Sequence, residues 1–348
     1  MTTSSLPWAA DYPLIQAPMA GVQGSALAIA VSNAGALGSL PCAMLSPEAM
    51  RNELQAIRAA TDRPFNVNFF CHAPPLPSAE REAAWRAALA PYYRELGLDS
   101  AQVASGPLRT PFNAEAAALL AEFTPAVVSF HFGLPSAELL ARVKRGGAKV
   151  LSSATTVDEA RWLEAHGADV IIAQGIEAGG HRGMFLGDDV TTQVGSLALL
   201  PQVVSAVRLP VIAAGGIADA QGVRAAMALG AAGVQVGTAY LLCPEATTSA
   251  LHRAALASAA ARHTALTNLF TGRPARGIVN RLMRELGPIG SAVPAFPLAN
   301  TAIAPLRARA EAAGRDDFSP LWSGQNATGC RAIAAHLLTR ELVAGFAG

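Results

Sequence analysis

The sequence predicts an α/β protein built as a (β/α)8 TIM barrel, and two observations lead to this fold class. Short apolar runs rich in Val, Ile and Phe alternate with Ala- and Leu-rich segments of helical character. Runs with so few polar residues are typical of parallel strands covered on both faces, and eight of them favour a barrel over an open sheet. The predicted strands are residues 14–19, 36–40, 65–70, 126–132, 149–154, 170–173, 210–214 and 233–238.

Two regions depart from the regular alternation. The third crossover, residues 72–124, is long and opens with several prolines, which predicts an insertion with an extra helical excursion. After the eighth run the chain is Ala-rich with few strand signals, and residues 251–261 and 331–344 are predicted helices. We therefore expect a (β/α)8 barrel over residues 1–240, with the long insertion at about 72–124, and a C-terminal helical cap and flank packed on it over 241–348.

Composition narrows the class of partner. The chain has 348 residues, 51% of them hydrophobic, and a formal net charge of +1 without any run of Lys or Arg. This balance gives no electrostatic basis for nucleic-acid binding, so a small-molecule partner is expected.

Four cysteines without CxxC spacing predict neither a disulfide framework nor a metal site, as is typical of a reducing cytoplasm. No signal peptide is predicted, because residues 1–5 lack the charged and apolar regions of one. No membrane span is predicted, because the longest uncharged stretches are broken by Gly and polar residues.

Residues 173–183, with the sequence AQGIEAGGHRG, have the pattern of an active-site loop. They follow a short apolar strand and bring the carboxamide of Gln174, a glycine pair and the imidazole of His181 within eight positions. A glycine pair lets backbone amides approach a ligand closely. A histidine beside it can act as a base or a hydrogen-bond donor near neutral pH. His181 is therefore the predicted catalytic residue.

Glycines at the ends of the seventh and eighth strands predict a phosphate site. In a (β/α)8 barrel the functional loops follow the carboxyl ends of the strands, and phosphate often binds after strands seven and eight. The seventh run ends in Gly215-Gly216, and the eighth ends in the sequence QVGT at 235–238. Exposed N–H groups and the Thr238 hydroxyl suit a phosphate. Alternatively, the glycines only permit tight turns, but their presence at two consecutive strand ends favours phosphate.

Further polar residues are predicted to face the same mouth. Asn68 ends the third strand and Gln174 ends the sixth, and a carboxamide both donates and accepts, as a flavin or pyrimidine edge requires. Each can instead satisfy barrel backbone groups. His131 ends the fourth strand and either contributes to the pocket or makes a structural hydrogen bond. Cys71 and His72 are not expected to form a thiolate pair, because adjacent strand residues point to opposite faces.

These motifs resemble, in order and over nearly the whole chain, the nitronate monooxygenases, which are FMN enzymes once called 2-nitropropane dioxygenases. The resemblance is closest to the bacterial class I members. Its most specific part is 174–183, whereas 213–217 resembles many FMN barrels. The matching segments are 16–19, 32–39, 65–72, 129–133, 174–183, 213–217 and 235–238.

The resemblance implies that FMN binds at the barrel mouth and that the protein, as a monomer or homodimer, acts on a small nitronate with O2. It gives His181 the catalytic role and places His131 beside the substrate. The residues implied to bind FMN are Met19, Asn68, Gln174 and Gly179 near the flavin, and Gly216, Gln235, Val236, Gly237 and Thr238 at the phosphate.

The implied reaction is oxidative denitrification. A nitronate passes one electron to FMN, which becomes a flavin semiquinone, and O2 then leads to a carbonyl compound and nitrite without any nicotinamide. His181 is implied to stabilise the anionic nitro group when protonated, or to remove a Cα proton from a neutral nitroalkane when not. General-base help of this kind is typically about 10²–10⁴-fold.

One segment departs from the family pattern. Bacterial class I relatives carry two tyrosines and a lysine where this chain has Phe296, Asn300 and Ala304. The missing cation predicts a more apolar pocket and weaker attraction for a carboxylated nitronate such as propionate 3-nitronate.

The alternative class is an FMN-dependent NAD(P)H oxidoreductase of the quinone reductase or enoyl-acyl carrier protein reductase type, which shares the barrel. A non-catalytic flavin-binding barrel is disfavoured by the intact His181 loop.

Overall fold

The computed structural model describes residues 6–99 and 109–347. Their strands are β1 (Leu14–Gln16), β2 (Gly38–Pro41), β3 (Phe65–Phe70), β4 (Val127–His131), β5 (Lys149–Ala154), β6 (Val170–Gln174), β7 (Gly180–His181), β8 (Val211–Ala214), β9 (Gly233–Val236), β10 (Thr264–Thr267) and β11 (Ala275–Ile278). Eight of these described strands form one parallel sheet in the order β1-β9-β8-β6-β5-β4-β3-β2. A parallel bridge between Ile15 and Leu37 joins its two edges. The predicted (β/α)8 barrel is confirmed.

The barrel interior changes from apolar to polar along the strands. Alternate strand residues point inward, and at the amino-terminal end these include Ile15, Val127 and Ile172, which pack in one buried cluster closed by Trp8. Two residues beyond Ile172 the same face carries Gln174, which lines a cavity. The same alternation that builds the core therefore delivers polar side chains to the carboxyl ends of the strands.

Helices that follow the strands form the outer layer. Short polar side chains cap several of them, as where Asp219 Oδ1 accepts from Gly222 N at 2.8 Å. The helices of the described residues are α1 (Ser25–Asn33), α2 (Pro47–Ala60), α3 (Ala79–Glu95), α4 (Ala114–Phe123), α5 (Ala137–Arg145), α6 (Val157–Ala165), α7 (Ser196–Ala206), α8 (Ala220–Ala228), α9 (Ala250–Leu256), α10 (Arg281–Leu286), α11 (Ala299–Ala312) and α12 (Ala335–Val343). None of these described helices is long and apolar enough to cross a bilayer.

The long third crossover contains the predicted helical excursion. Helix α3 is additional to the barrel repeat and packs on α11, where Trp85 Nε1 donates to Ala299 O at 3.4 Å and Tyr93 Oη donates to Ala302 O at 2.7 Å. Both aromatic residues belong to the same buried cluster as the inward face of α11. The insertion and the C-terminal region thus form one layer over the barrel.

The C-terminal region also contains two strands that the sequence patterns did not predict. Strands β10 and β11 pair antiparallel, and β11 pairs with β7 in the His181 loop. The strands are four residues long and carry polar residues such as Arg276, so neither reads as an apolar run. Helices α9 and α12 are confirmed but shorter than predicted. The cap is therefore helical with a small sheet that reaches the barrel mouth.

Candidate active site

A cavity at the carboxyl ends of the barrel strands collects almost all the predicted site residues. It encloses about 1350 Å³, including its open mouth. Val236 is the exception: its side chain is buried in the outer core, and its carbonyl accepts from Ala17 N at 2.8 Å. Val236 is therefore not among the residues that line the cavity. The predicted residues that line the cavity are Met19, Asn68, His131, Gln174, Gly179, His181, Gly216, Gln235, Gly237 and Thr238.

The His181 loop is tied to both the barrel and the C-terminal sheet. The carbonyl of His181 accepts from Gln174 Nε2 at 3.0 Å and from His131 Nε2 at 3.1 Å. Gln174 Oε1 accepts from Gly183 N at 2.8 Å, so this carboxamide, which also lines the cavity, holds the loop in place. On the other side, Arg182 N donates to Pro274 O at 2.9 Å. These bonds orient the His181 side chain into the cavity.

Arg182 is a fully buried cation that fastens the same loop from behind. Its Nη1 and Nη2 donate to the carbonyls of Gly175 and Gln174, each at 2.6 Å, and its Nε donates to Gln193 Oε1 at 2.8 Å. Burial lowers the pKa of Arg182 to about 9. A guanidinium that satisfies three acceptors in one plane makes the turn after β6 rigid.

The imidazole of His181 is neutral at physiological pH. Its Nε2 lies 2.9 Å from Thr271 Oγ1, and the Thr271 hydroxyl donates to Arg273 O at 3.3 Å. Nε2 therefore carries the proton and Nδ1 is the unprotonated nitrogen, an assignment that follows from the hydrogen-bond partners. Burial, and then the positive charge of Arg109, holds the pKa of His181 well below its usual range. The structure thus favours a base or acceptor over a permanent cation.

His131 is held by hydrogen bonds at both ring nitrogens. Because Nε2 donates to the His181 carbonyl, Nδ1 is the acceptor for the Ser153 hydroxyl, at 3.1 Å. Burial lowers the pKa of His131 to about 4. Of the two roles that the sequence left open, a structural hydrogen bond and a pocket contact, the geometry supports the first; His131 lines the cavity but leaves no ring nitrogen for substrate.

Aromatic rings surround His181 and form what we call the aromatic side, comprising Phe70, Phe132, Phe296 and Trp322; Phe70 and Trp322 line the cavity, and Phe132 and Phe296 pack against His181. Their ring centroids lie 5.3–6.1 Å from that of His181. Phe296 is one of the three residues that depart from the family pattern, and it is buried in this cluster. The other two, on α11, are exposed. The departure therefore acts on the site through the ring of Phe296.

The predicted phosphate residues form a second part, the glycine side, comprising Gly179, Gly215, Gly216, Gly237 and Thr238. Gly215 and Gly216 have φ values of +115° and +74°, a left-handed conformation that favours glycine. Thr238 Oγ1 accepts from the N–H of Gly324 at 2.9 Å, which leaves its own proton free to donate. A Cβ on Gly179 would lie 2.5 Å from the same backbone nitrogen. Glycine is thus needed here by close packing and not only by turn geometry.

An unpaired acceptor indicates that the cavity is built for a polar ligand. Gln235 Oε1 is buried and has no hydrogen-bond partner in the described protein. Buried polar atoms are normally satisfied, so a ligand N–H or O–H is the expected partner. Asn68 Nδ2 donates to Ser129 Oγ at 2.9 Å, which fixes the plane of that carboxamide nearby. The chemistry fits a ligand with amide-like edges and a phosphate.

Several cavity residues were missed by the sequence reasoning. Arg109, Thr271, Trp322, Gly324 and Asn326 reach the site from the insertion and the C-terminal region. Asn326 Nδ2 donates to Gly216 O at 3.0 Å, so the C-terminal turn also supports the glycine side. The only local signal was the Gly-, Asn- and Thr-containing turn at 323–329. Nothing local marked the others, because tertiary folding alone brings them near His181.

A closed barrel with a cavity at the carboxyl ends of its strands and a perturbed histidine inside it defines an enzyme of the (β/α)8-barrel class. Across residues 6–99 and 109–347, no group of three or more His, Cys, Asp or Glu side chains is arranged to hold a metal.

Comparison with known proteins identifies the family. The profile of the nitronate monooxygenase family matches residues 6–345. A nitronate monooxygenase of Paraburkholderia phytofirmans is 44% identical over 95% of this chain and 91% of its own length, and one of Pseudomonas aeruginosa is 44% identical over 96% and 95%. The chain belongs to the nitronate monooxygenase family and is an oxidoreductase; this family oxidises nitronates.

Solved structures agree with this assignment. A nitroalkane oxidase from Streptomyces ansochromogenes superposes with a TM-score of 0.88 at 39% identity, covering 97% of this chain and 96% of that one. FabK from Thermotoga maritima superposes with a TM-score of 0.71 at 26% identity, covering 97% and 93%. The fold is shared with both, and the likeness is greater to the nitroalkane oxidase.

Proposed function

We propose that this protein oxidises alkyl nitronates with O2, using bound FMN, and releases a carbonyl compound and nitrite. The observation that carries the proposal is the juxtaposition of a neutral, aromatic-lined His181 with the glycine side in one cavity. When bound, FMN supplies the acceptor for the electron that leaves the nitronate. The protein's own residues bind, orient and shield the reactants.

The glycine side is the proposed holder of the FMN phosphate. Gly179, Gly216 and Gly237 have no side chain to keep a phosphate from the backbone, and Thr238 has a hydroxyl proton to donate. Gln235 Oε1, which lacks a protein partner, would accept from a donor of the cofactor. Phosphate and flavin are thereby bound by backbone groups and carboxamides rather than by a charged cluster.

His181 is proposed to act through its unprotonated Nδ1. Removal of a Cα proton from a neutral nitroalkane needs a base with a free lone pair, which this tautomer provides. An anionic nitronate placed beside the ring would raise the pKa of His181, so binding of the anion and protonation of the ring are coupled. The aromatic side excludes water around that anion and strengthens the interaction.

The test is the substitution His181→Asn, with His336→Asn on an exposed turn of α12 as the matched control. With propyl-1-nitronate as substrate, nitrite release and O2 consumption are measured together. We expect kcat/KM to fall about 10²–10³-fold in His181→Asn, the visible flavin spectrum to persist, and the control to match the parent protein.

Two outcomes would overturn the proposal. Undiminished nitrite release by His181→Asn would remove His181 from the reaction. Rapid anaerobic bleaching of the flavin by NADH, with no nitrite from any nitronate, would replace the proposed function by an NAD(P)H oxidoreductase.

A further inference from the structure

We propose that the C-terminal turn at 323–329 controls how fast the cofactor enters and leaves the cavity, and that Asn326 is the positioning residue that holds this turn closed. The inference rests on the proposed function, because it takes FMN as the molecule that exchanges. The turn supplies no reacting group. It opens as a flap between two fixed ends, admits the cofactor and closes against the glycine side.

The first observation is that the C-terminal turn forms part of the wall of the glycine side. Both Gly324 and Asn326 line the cavity. After β9, Thr238 Oγ1 accepts from Gly324 N at 2.9 Å. After β8, the Gly216 carbonyl accepts from Asn326 Nδ2 at 3.0 Å. The turn therefore covers the same two strand ends that are proposed to bind the phosphate.

The turn also closes on the loop that carries His181. Gln325 N donates to the carbonyl of Glu177 at 2.9 Å. The backbone of Gly324 approaches the same loop so closely that a Cβ on Gly324 would lie 3.4 Å from the nitrogen of Gly179. The loops after three strands, β6, β8 and β9, are thus joined by one short segment from the C-terminal region.

The second observation is that both ends of the turn are fixed. Ser323 is fully buried, and its N–H donates to the carbonyl of Arg276 in β11 at 3.3 Å. Gly329 is buried at the other end, where a Cβ would lie 2.1 Å from the carbonyl oxygen of Ala218. A segment fixed at both ends moves as a flap about those ends rather than as a free tail.

The third observation is that the middle of the turn is held mainly by hydrogen bonds near the surface. Gln325 and Thr328 are exposed, and Asn326 is half-buried. Within the turn, all of which belongs to the described part of the chain, Ala327 is the only residue that packs against a hydrophobic cluster. Segments with few buried apolar contacts and with hydrogen bonds near solvent open at a lower free energy than the core. The turn therefore opens more readily than the barrel strands beneath it.

Asn326 is the side chain that fastens the middle of the turn. Its Nδ2 donates to Gly216 O, whereas its Oδ1 accepts from Thr328 N at 3.2 Å and from Thr328 Oγ1 at 2.6 Å. One carboxamide thus folds the turn on itself and attaches it to the barrel. The adjacent Gln325 contacts the barrel through its backbone N–H, so its exposed side chain offers a matched control.

The experiment measures cofactor exchange in the flavin-loaded parent protein and in Asn326→Ala, Thr328→Val and Gln325→Ala. After dilution, the rise of FMN fluorescence gives the rate constant of release, its final level gives Kd, and the two together give the rate constant of uptake. We expect Asn326→Ala to raise both rate constants about 3–10-fold, as for the loss of one hydrogen bond. Kd should change less than either rate constant, because opening the flap speeds passage in both directions.

Thr328→Val is a milder second variant at a residue that does not line the cavity. It removes only the hydroxyl that orients the Asn326 carboxamide, so we expect both rate constants to rise about 2-fold. Gln325→Ala should match the parent protein.

A second readout follows the turn itself. Hydrogen exchange is measured in the flavin-loaded protein on a peptide that contains residues 321–331. The Gly324 and Gln325 amides in this peptide donate to the barrel while the turn is closed. We expect them to exchange faster in Asn326→Ala, by about the same factor as FMN release, because both processes need the same opening.

Two results would overturn the inference. Unchanged FMN release or unchanged hydrogen exchange in Asn326→Ala would show that Asn326 does not hold a flap. Faster release without faster uptake would make the turn a fixed part of the binding site. The proposed function fails separately: exchange rates that obey these predictions in a protein that releases no nitrite would overturn the reaction and leave the flap in place.

Discussion

The glycine side and the aromatic side of the cavity are assembled in different ways. Most of the glycine side follows directly from β8 and β9, so its residues are neighbours in the chain as well as in space. The aromatic side unites Phe70 of β3, Phe132 after β4, Phe296 before α11 and Trp322 near the C-terminus. A shared barrel frame thus holds one side, whereas loops that are distant in sequence determine the other. The comparison implies that the proposed cofactor-binding side and the proposed substrate side can change independently in this protein.

The largest effect on stability is expected from Arg182, which fastens the His181 loop, next to the aromatic side, to the barrel. Arg182→Met would leave the carbonyls of Gly175 and Gln174 buried without their donor. We expect the free energy of unfolding to fall by about 3–5 kcal/mol, measured by urea denaturation. The control is Arg208→Met, whose side chain is 95% exposed and for which a change of less than about 0.5 kcal/mol is expected. Equal stabilities of the two variants would show that the loop is held by other contacts.

The glycine side is tested by adding one methyl group. In Gly179→Ala the new Cβ would lie 2.5 Å from the Gly324 nitrogen, a backbone atom that cannot move aside cheaply. We expect a loss of about 1–3 kcal/mol of stability and a lower flavin content of the purified protein, read from its visible absorbance. Gly187→Ala is the matched control, since a Cβ there meets nothing within 4 Å. Normal flavin content in Gly179→Ala would argue against the proposed cofactor position.

Buried neutral histidines predict that acid destabilises the protein. Burial lowers the pKa of His131 and of His252 to about 4 from 6.5. Between these values the unfolded chain binds more protons than the folded one, so stability falls as the pH falls from 6.5 towards 4. Each histidine contributes roughly 2 kcal/mol to the difference between pH 7 and pH 5. Urea denaturation of His252→Gln should show a smaller pH dependence than that of His336→Gln, and equal slopes would contradict the burial argument.

The smallest effect on activity is expected from removing the hydrogen bond that sets the tautomer of His181. Thr271→Val removes the hydroxyl that accepts from Nε2 while keeping the shape of the side chain. We expect kcat to fall about 3–10-fold, as for the loss of one neutral hydrogen bond, with a displaced pH profile and unchanged flavin content. If neither kcat nor the pH profile changes, Thr271 does not orient the ring.

The strands show how far sequence patterns reach. The runs at 65–70 and 149–154 coincide with β3 and β5, because a buried parallel strand is recognisable from its own residues. The run at 14–19 was too long, and β1 ends at Gln16. There Gln16 Nε2 donates to Gln23 Oε1 of the following loop at 2.7 Å, and Pro18 has no N–H to continue a ladder.

The site residues also divide into those that the local sequence predicts and those whose contacts depend on the tertiary structure. His181, Gln174 and the glycines were recognisable because they lie in motifs of the chain. That Gln174 bonds to the His181 loop, and that His131 uses both ring nitrogens, could not be read from the sequence. A side chain's partner depends on atoms tens of residues away.

By itself, the sequence determined that eight apolar runs close into a barrel and that a histidine and paired glycines stand at its mouth, because hydrophobic alternation and turn chemistry are local properties. Tertiary structure alone decided that His181 is neutral and that Gln235 Oε1 is buried in the described protein without a hydrogen-bond partner. Burial and charge are set by neighbours in space, and here those neighbours come from the insertion and the C-terminal cap.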